Sequence, residues 1–126
     1  INMDKGTIEC WIKPNFGSDD PFTHPVWNFW DTHGLFLVFL ELGLLRLYIV
    51  HEGGTFTIQS VEAFNANDLL HLAVTWDREG NDINGNKTVV LYRDNVEIAS
   101  SVTIWNASPG IATNLQILHR VGTFDV

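Results

Sequence analysis

The stretch GLFLVFLELGLLRLYIV, residues 34–50, decides how this 126-residue chain folds. Its 17 residues include seven leucines and only two charged residues, Glu41 and Arg46. A helix needs about 20 apolar residues to cross a bilayer, and each central charge would cost a few kcal/mol there. As a soluble helix the stretch would be apolar on every side around a central glycine. Neither form of helix fits this sequence.

A β-hairpin explains the same residues. If Leu42 and Gly43 form a two-residue turn, Gly43 supplies the positive φ that such a turn requires. Position 41 then pairs with 44, 39 with 46, 37 with 48, and 35 with 50. One face is wholly apolar and is predicted to join the core: Phe36, Val38, Leu40, Leu45, Leu47 and Ile49. The other face is amphipathic: Leu35, Leu37, Phe39, Glu41, Leu44, Arg46, Tyr48 and Val50.

This second face carries too much apolar area to meet bulk water alone. Three kinds of cover are compatible with the sequence: a loop of the same chain, another subunit or domain, or a ligand. The identity of the cover bears directly on function.

Alternating apolar and polar residues predict further short strands. They lie in GTIECWIKP (6–14), TFTIQSV (55–61), LLHLAVTWD (69–77) and NLQILHRVG (114–122), with a hairpin turning on Asp94-Asn95 in TVVLYRDNVEIASSV (88–102). Turn-forming residues predict loops over 15–25 and 78–87. EAFNANDLL (62–70) is predicted to hold a short helical turn, with Asn67 or Asp68 as its cap. The spacing of the strands indicates an all-β, antiparallel two-sheet sandwich.

Composition excludes several classes of function. Seven Lys and Arg against 15 Asp and Glu give a net charge of −8, which argues against nucleic acid and anionic membranes as partners. Cys10 is the only cysteine, so neither an intrachain disulfide nor a cysteine-based zinc site can form. Residues 1–126 are predicted to be a single domain. Because the chain opens on Ile1 without a basic and apolar leader, we expect a domain of a larger protein.

Three stretches, in order, resemble the laminin G-like domains of the concanavalin A-like lectin/glucanase superfamily. GTIECWIKP resembles the first conserved strand of that family. LLHLAVTWD resembles the family's WHHVAVTWD strand, with leucine where the motif has tryptophan. VLYRDNVEIAS (90–100) resembles its LYVDGxLVAS hairpin, with Asn95 in place of the glycine in the turn. The resemblance implies a jelly-roll sandwich of two antiparallel sheets. The family's closing strand and most of its opening strand are missing. This is compatible with a truncated domain, with a partly ordered domain, or with a sheet edge that another chain completes.

The catalytic members of this superfamily resemble one another in an E-x-D-x-x-E strand, which supplies the two carboxylates of a retaining glycosidase. None of the six glutamates has an acidic residue two positions later, so a glucanase is not expected: Glu9, Glu41, Glu52, Glu62, Glu79 and Glu97. The sequence also contains no G-x-S-x-G, no H-E-x-x-H and no phosphate-binding glycine loop, so we expect no enzyme activity. The histidines show no metal-ligand spacing. Calcium is possible because many members of the family bind it, and Asp19-Asp20 and the loop from Asp77 to Asn86 carry oxygen ligands. No calcium ligand and no cofactor are assigned.

A sugar site would combine aromatic platforms with amide and carboxylate groups. WNFWDTHG (27–34) offers aromatic, amide, carboxylate and imidazole groups at Trp27, Asn28, Trp30, Asp31 and His33. IWNAS (104–108) offers Trp105 and Asn106 in a predicted loop. Arg46 and Tyr48 lie on the second face of the hairpin. Trp76 alternates with core residues and is assigned to the core.

These features predict a non-catalytic carbohydrate-binding or adhesion module of an extracellular or surface-exposed protein, with a glycan as its partner. The alternative is a structural or assembly domain of a virion, a fibre or a multidomain surface protein. In that role the second face would pack against a neighbouring subunit or domain.

Overall fold

All regular structure in the described residues is β-strand. The computed structural model describes residues 2, 4–30, 35–51, 53–105 and 114–117. The strands are β1 (Lys5–Ile12), β2 (His24–Trp30), β3 (Leu35–Glu41), β4 (Leu44–His51), β5 (Gly54–Val61), β6 (Leu70–Asp77), β7 (Val89–Arg93), β8 (Val96–Ser101) and β9 (Asn114–Ile117). They form one sheet in the order β1-β6-β7-β8 and another in the order β5-β4-β3-β2-β9. The predicted all-β fold with two antiparallel sheets is confirmed.

The hairpin over residues 35–50 forms in the predicted register. Glu41 pairs with Leu44, Phe39 with Arg46, and position 37 with Tyr48. Leu42 and Gly43 form the turn with φ of 49° and 74°, the left-handed pair that a two-residue hairpin loop demands. The second predicted hairpin is confirmed in the same way, since Asp94 and Asn95 have φ of 50° and 66°. Within the described residues there is no helix of the length and apolarity that crossing a membrane requires.

The core lies between the two sheets and contains the side chains that alternation assigned to it. From β3 and β4 it takes Val38, Leu40, Leu45, Leu47 and Ile49, and from the facing sheet Leu70, Leu72, Val74, Trp76, Val89 and Leu91. Ile8, Cys10 and Ile12 of β1 pack against the same cluster. The predictions for Leu35, Phe36 and Leu37 lie outside the described side chains.

The segment 62–70 does not form the predicted helical turn. Asn67 takes a left-handed φ of 69°, and its backbone N–H donates to the carbonyl of Pro14 at 2.6 Å. The N–H of Asn65 donates to Oδ2 of Asp68 at 2.8 Å. Short polar side chains compete with helical hydrogen bonds in this way, so the segment becomes a loop that crosses between the sheets.

Strand β2 begins at His24, inside the loop predicted over 15–25. The register between β2 and β3 shifts between Pro25 and Trp27, and Val26 and Trp27 are both buried in succession. This bulge interrupts the period of two that marks a strand in sequence. The strand predicted over 114–122 is confirmed for Asn114–Ile117, which pairs with β2, and its remainder lies outside the described residues.

The face assignment of β4 predicts unequal costs for two leucine truncations. Leu47→Ala should lower the free energy of unfolding by about 2–5 kcal/mol, because Leu47 is fully buried in the core. Leu44→Ala, on the half-buried second face, should cost clearly less. Urea denaturation of both variants measures the difference, and equal or inverted costs would contradict this orientation of β4.

Candidate functional site

The candidate site is the second face, the side of the five-stranded sheet that points away from the core. Alternation and register place polar and apolar side chains together on it. Its described members are Asn28, Trp30, Phe39, Glu41, Leu44, Arg46, Tyr48, Val50, Thr55, Thr57, Gln59 and Val61. Those on β2, β3 and β4 are half-buried, whereas those on β5 are exposed. The face is therefore partly accessible over β2, β3 and β4 and open along β5.

A charged pair is fixed at one end of this face. Arg46 Nη1 donates to Glu41 Oε2 at 2.8 Å, and Thr23 Oγ1 donates to Glu41 Oε1 at 2.9 Å. The Arg46 guanidinium carbon also lies 5.9 Å from the centre of the Phe39 ring. Because a guanidinium carries five N–H donors, the pair neutralises its charge and still leaves hydrogen-bonding capacity for a ligand.

Tyr48 lies beside a row of polar side chains. It occurs between the buried Leu47 and Ile49 on β4, so its ring lies on the second face, and it pairs with Thr57 of β5. Thr57 and Gln59 are both exposed, with Gln59 paired to Arg46. Hydroxyl, amide and guanidinium groups therefore stand next to the Tyr48 ring.

Trp30 reaches the same face from β2. Past the bulge at Val26, strand alternation places it opposite to the buried Trp27, on the side of Asn28. Trp30 on β2 pairs with position 35 on β3, which pairs in turn with Val50 on β4. Tyr48 is the next residue on the same face of β4, two positions before Val50. Standard strand spacing and rise put the Cα atoms of Trp30 and Tyr48 roughly 12 Å apart.

Trp105 is not where the sequence prediction put it. Its side chain is 2 % exposed in the core, and its ring centre lies 5.8 Å from that of Phe56. A buried indole of this size adds to the core and presents no face to a ligand, so Trp105 is corrected to a core residue. Asp31, His33 and Asn106 lie outside the described residues.

The calcium candidates in the loop after β6 have carboxylates that are already engaged. Asp77 is buried and accepts backbone N–H groups from Glu79, Asn81 and Asp82 at 3.1, 2.9 and 2.8 Å. Asp82 also forms an ion pair with Lys5. Asp77 thus organises the loop after β6. In the part of the chain that the structure describes, no group of three or more His, Cys, Asp or Glu side chains could hold a metal ion.

One contributor to this surface was missed by the sequence analysis: Thr23 was assigned to a loop with no role. The polar alternation of TFTIQSV did carry a signal for Thr57 and Gln59, because a strand with one apolar face turns its hydroxyls and amides the other way. The contact from Thr23 to Glu41 joins residues 18 positions apart and has no local signal.

Comparison with known proteins assigns no family. No protein-family model matches the chain, and no curated protein shows significant similarity to it. Residue chemistry and geometry must therefore support any functional proposal.

The loop that supplies Thr23 is held by a second pair, His24 and Asp20. His24 is 3 % exposed, lies with its ring stacked 3.6 Å from that of Phe16, and has Nε2 2.9 Å from Asp20 Oδ1. The hydrogen bond from His24, followed by that from the N–H of Phe22, lowers the pKa of Asp20. Ionised Asp20 therefore stabilises the fold.

This pair predicts a pH-dependent effect of Asp20→Asn. A carboxyl whose pKa is lowered by folding stabilises the protein above its unfolded pKa of about 3.9, and loses that contribution as the pH falls through the folded value. Near neutral pH the free energy of unfolding of the variant should be lower by up to about 1 kcal/mol, a small value because the pair is partly exposed. This difference from the native chain should shrink below about pH 3.9. Urea denaturation across this range measures it.

Asp19→Asn is the matched control, since Asp19 is exposed next to Asp20 and should show little effect at either pH. A loss for Asp20→Asn that stayed constant down to strong acid would contradict the role of the ionised carboxylate.

Proposed function

We propose that the chain is a non-catalytic carbohydrate-binding module with the jelly-roll fold of the concanavalin A-like type, and that it binds glycans on the second face. One observation carries this proposal: Trp30, Arg46 and Tyr48, which come from separate segments of the sequence, share that face. The three motifs that resemble laminin G-like domains support the fold type. An extracellular or surface-exposed location follows from this function.

The chemistry of the face suits sugars. Aromatic rings stack on the apolar faces of pyranose rings, while amides, hydroxyls and charged groups bond the sugar hydroxyls. Trp30 and Tyr48 supply the rings, and Asn28, Thr57 and Gln59 supply the polar groups beside them. Because no single aromatic residue is fully exposed here, binding is expected to be shallow, along the face.

The charge balance favours a neutral glycan. Glu41 and Arg46 neutralise each other on the face, and the other described side chains there are uncharged. The net charge of −8 on the whole chain repels anionic saccharides at long range. With Trp30 and Tyr48 roughly 12 Å apart, the face offers two stacking positions, which suits an oligosaccharide better than a single sugar unit.

A second function uses the same face without a sugar. Phe39, Leu44 and Val50 give its middle an apolar character, which a protein neighbour could bury. In a structural or assembly domain these residues would form the contact, and the polar row on β5 would form its rim.

Glycan binding is tested with Trp30→Ala and Tyr48→Ala. The native chain should bind one or more neutral oligosaccharides on a glycan array, and each variant should bind the best of them at least about tenfold more weakly by calorimetry, since it loses a stacking ring. Thermal unfolding of each variant checks that the fold persists.

Trp11→Ala is the matched control. Trp11 is 64 % exposed on the other sheet, so this variant removes an exposed indole without touching the second face. Unchanged binding in Trp30→Ala and Tyr48→Ala would contradict the site. A chain that binds no glycan but self-associates, and that Leu44→Asp converts to a monomer, would establish the assembly function instead.

A further inference from the structure

Within the residues that the structure describes, strand β5 is an edge of the five-stranded sheet. Among the strands that the structure describes, β4 is its only neighbour within that sheet. Its eight residues, GTFTIQSV, include no charged residue and no proline, and its outward positions Thr55, Thr57, Gln59 and Val61 are all exposed. A long, uncharged edge with free backbone groups is a template for pairing with another strand.

Both edges of the four-stranded sheet carry charges that β5 lacks. Strand β1 presents Lys5 and Glu9, with side chains 55 % and 67 % exposed. Strand β8 presents Glu97, which forms an ion pair with Lys87. Charged side chains are one device by which native sheets block pairing at their edges. The absence of charge from β5 sets this strand apart from β1 and β8.

Exposed aliphatic side chains surround the same edge. Two contacts join β5 and β8. At one end, Arg93 precedes the turn into β8 and donates to Oε2 of Glu62, the residue after β5, at 2.7 Å. At the other end, Trp105 follows β8 and contacts Phe56 near the start of β5. Strands β5 and β8 therefore run along one side of the sandwich, here named the β5/β8 side. Four large aliphatic residues lie on this side and are 62–81 % exposed: Val61, Val96, Val102 and Ile104.

We propose that β5 pairs antiparallel with β5 of a second copy of this chain, which joins two five-stranded sheets into one continuous sheet. Across a two-fold axis each strand meets its own sequence, so any charge on it would face a like charge nearby. The strand has none, and its Thr and Gln side chains can hydrogen-bond to their own kind across the seam.

Charge elsewhere on the chain also favours this side. With a net charge of −8, two copies repel each other wherever their acidic surfaces meet. The β5 edge, together with its aliphatic neighbours, is a surface on which identical copies can approach without that repulsion, and it buries apolar area that is otherwise exposed. The backbone groups that would pair are not part of the proposed glycan site, whereas the side chains of Thr57 and Gln59 belong to both surfaces.

Sedimentation equilibrium of the native chain tests the proposal, with Thr57→Lys as the disrupting variant. The native chain should form a concentration-dependent dimer, and Thr57→Lys should weaken it at least about tenfold, because two like charges meet near the axis. Thr7→Lys is the matched control, since it makes the same substitution at an exposed position of β1 and should leave the dimer intact. Circular dichroism checks that both variants fold.

Cysteine scanning distinguishes the mode of pairing. Cysteines placed singly at positions 55, 57, 59 and 61 should give oxidised dimers at the one or two positions nearest the two-fold axis, and the native chain, with Cys10 alone, should give none. Efficient cross-linking at all four positions would indicate parallel pairing and would overturn the antiparallel proposal. So would a native chain that stays monomeric at every concentration, or a dimer that Thr7→Lys weakens and Thr57→Lys does not.

Discussion

The register of the β3–β4 hairpin is the constraint on which the rest of the structure depends. Because side chains alternate along a strand, a slip of one residue would turn Arg46 and Tyr48 into the core and Leu45 and Leu47 out to water. Burying an unpaired guanidinium costs several kcal/mol, and exposing two buried leucines adds to that cost. The left-handed turn at Gly43 fixes the same register from the backbone side. The pairing of β3 with β4 therefore determines both which side chains enter the core and which form the candidate site.

Much of the fold could be predicted from sequence because its strands alternate cleanly and its hairpins turn on suitable residues. Prediction failed where a bulge or a local polar contact changed the pattern. The bulge at Val26 buries two successive residues, Val26 and Trp27. The sequence of β2 therefore does not alternate between apolar and polar residues, and the start of the strand was assigned to a loop. In the segment 62–70, hydrogen bonds of Asn65 and Asn67 outside a helix prevailed over a weak helical pattern. The pairing of β1 with β6 joins residues 58 to 72 positions apart and had no local signal.

The candidate site was predictable only in part, and for related reasons. Arg46 and Tyr48 were assigned to the second face because their strand alternates. Trp105 was assigned to the surface because its neighbours show no period, and only the folded chain brings Phe56 against it. The sugar-binding function stays a prediction, and the resemblance to laminin G-like domains assigned no residue to it. Thr23 joined the site through a contact that only tertiary structure creates.

The most direct test of this account is the register itself, measured by nuclear Overhauser effects between backbone protons of β3, β4 and β5 in the isotopically labelled chain. Directly opposed residues on antiparallel strands have Cα atoms about 4.5–5.5 Å apart, close enough for such contacts. The account predicts cross-strand contacts between Phe39 and Arg46 and between Tyr48 and Thr57. Contacts displaced by one residue, from Phe39 to Leu45 or from Tyr48 to Phe56, would place the candidate site in the core and contradict it.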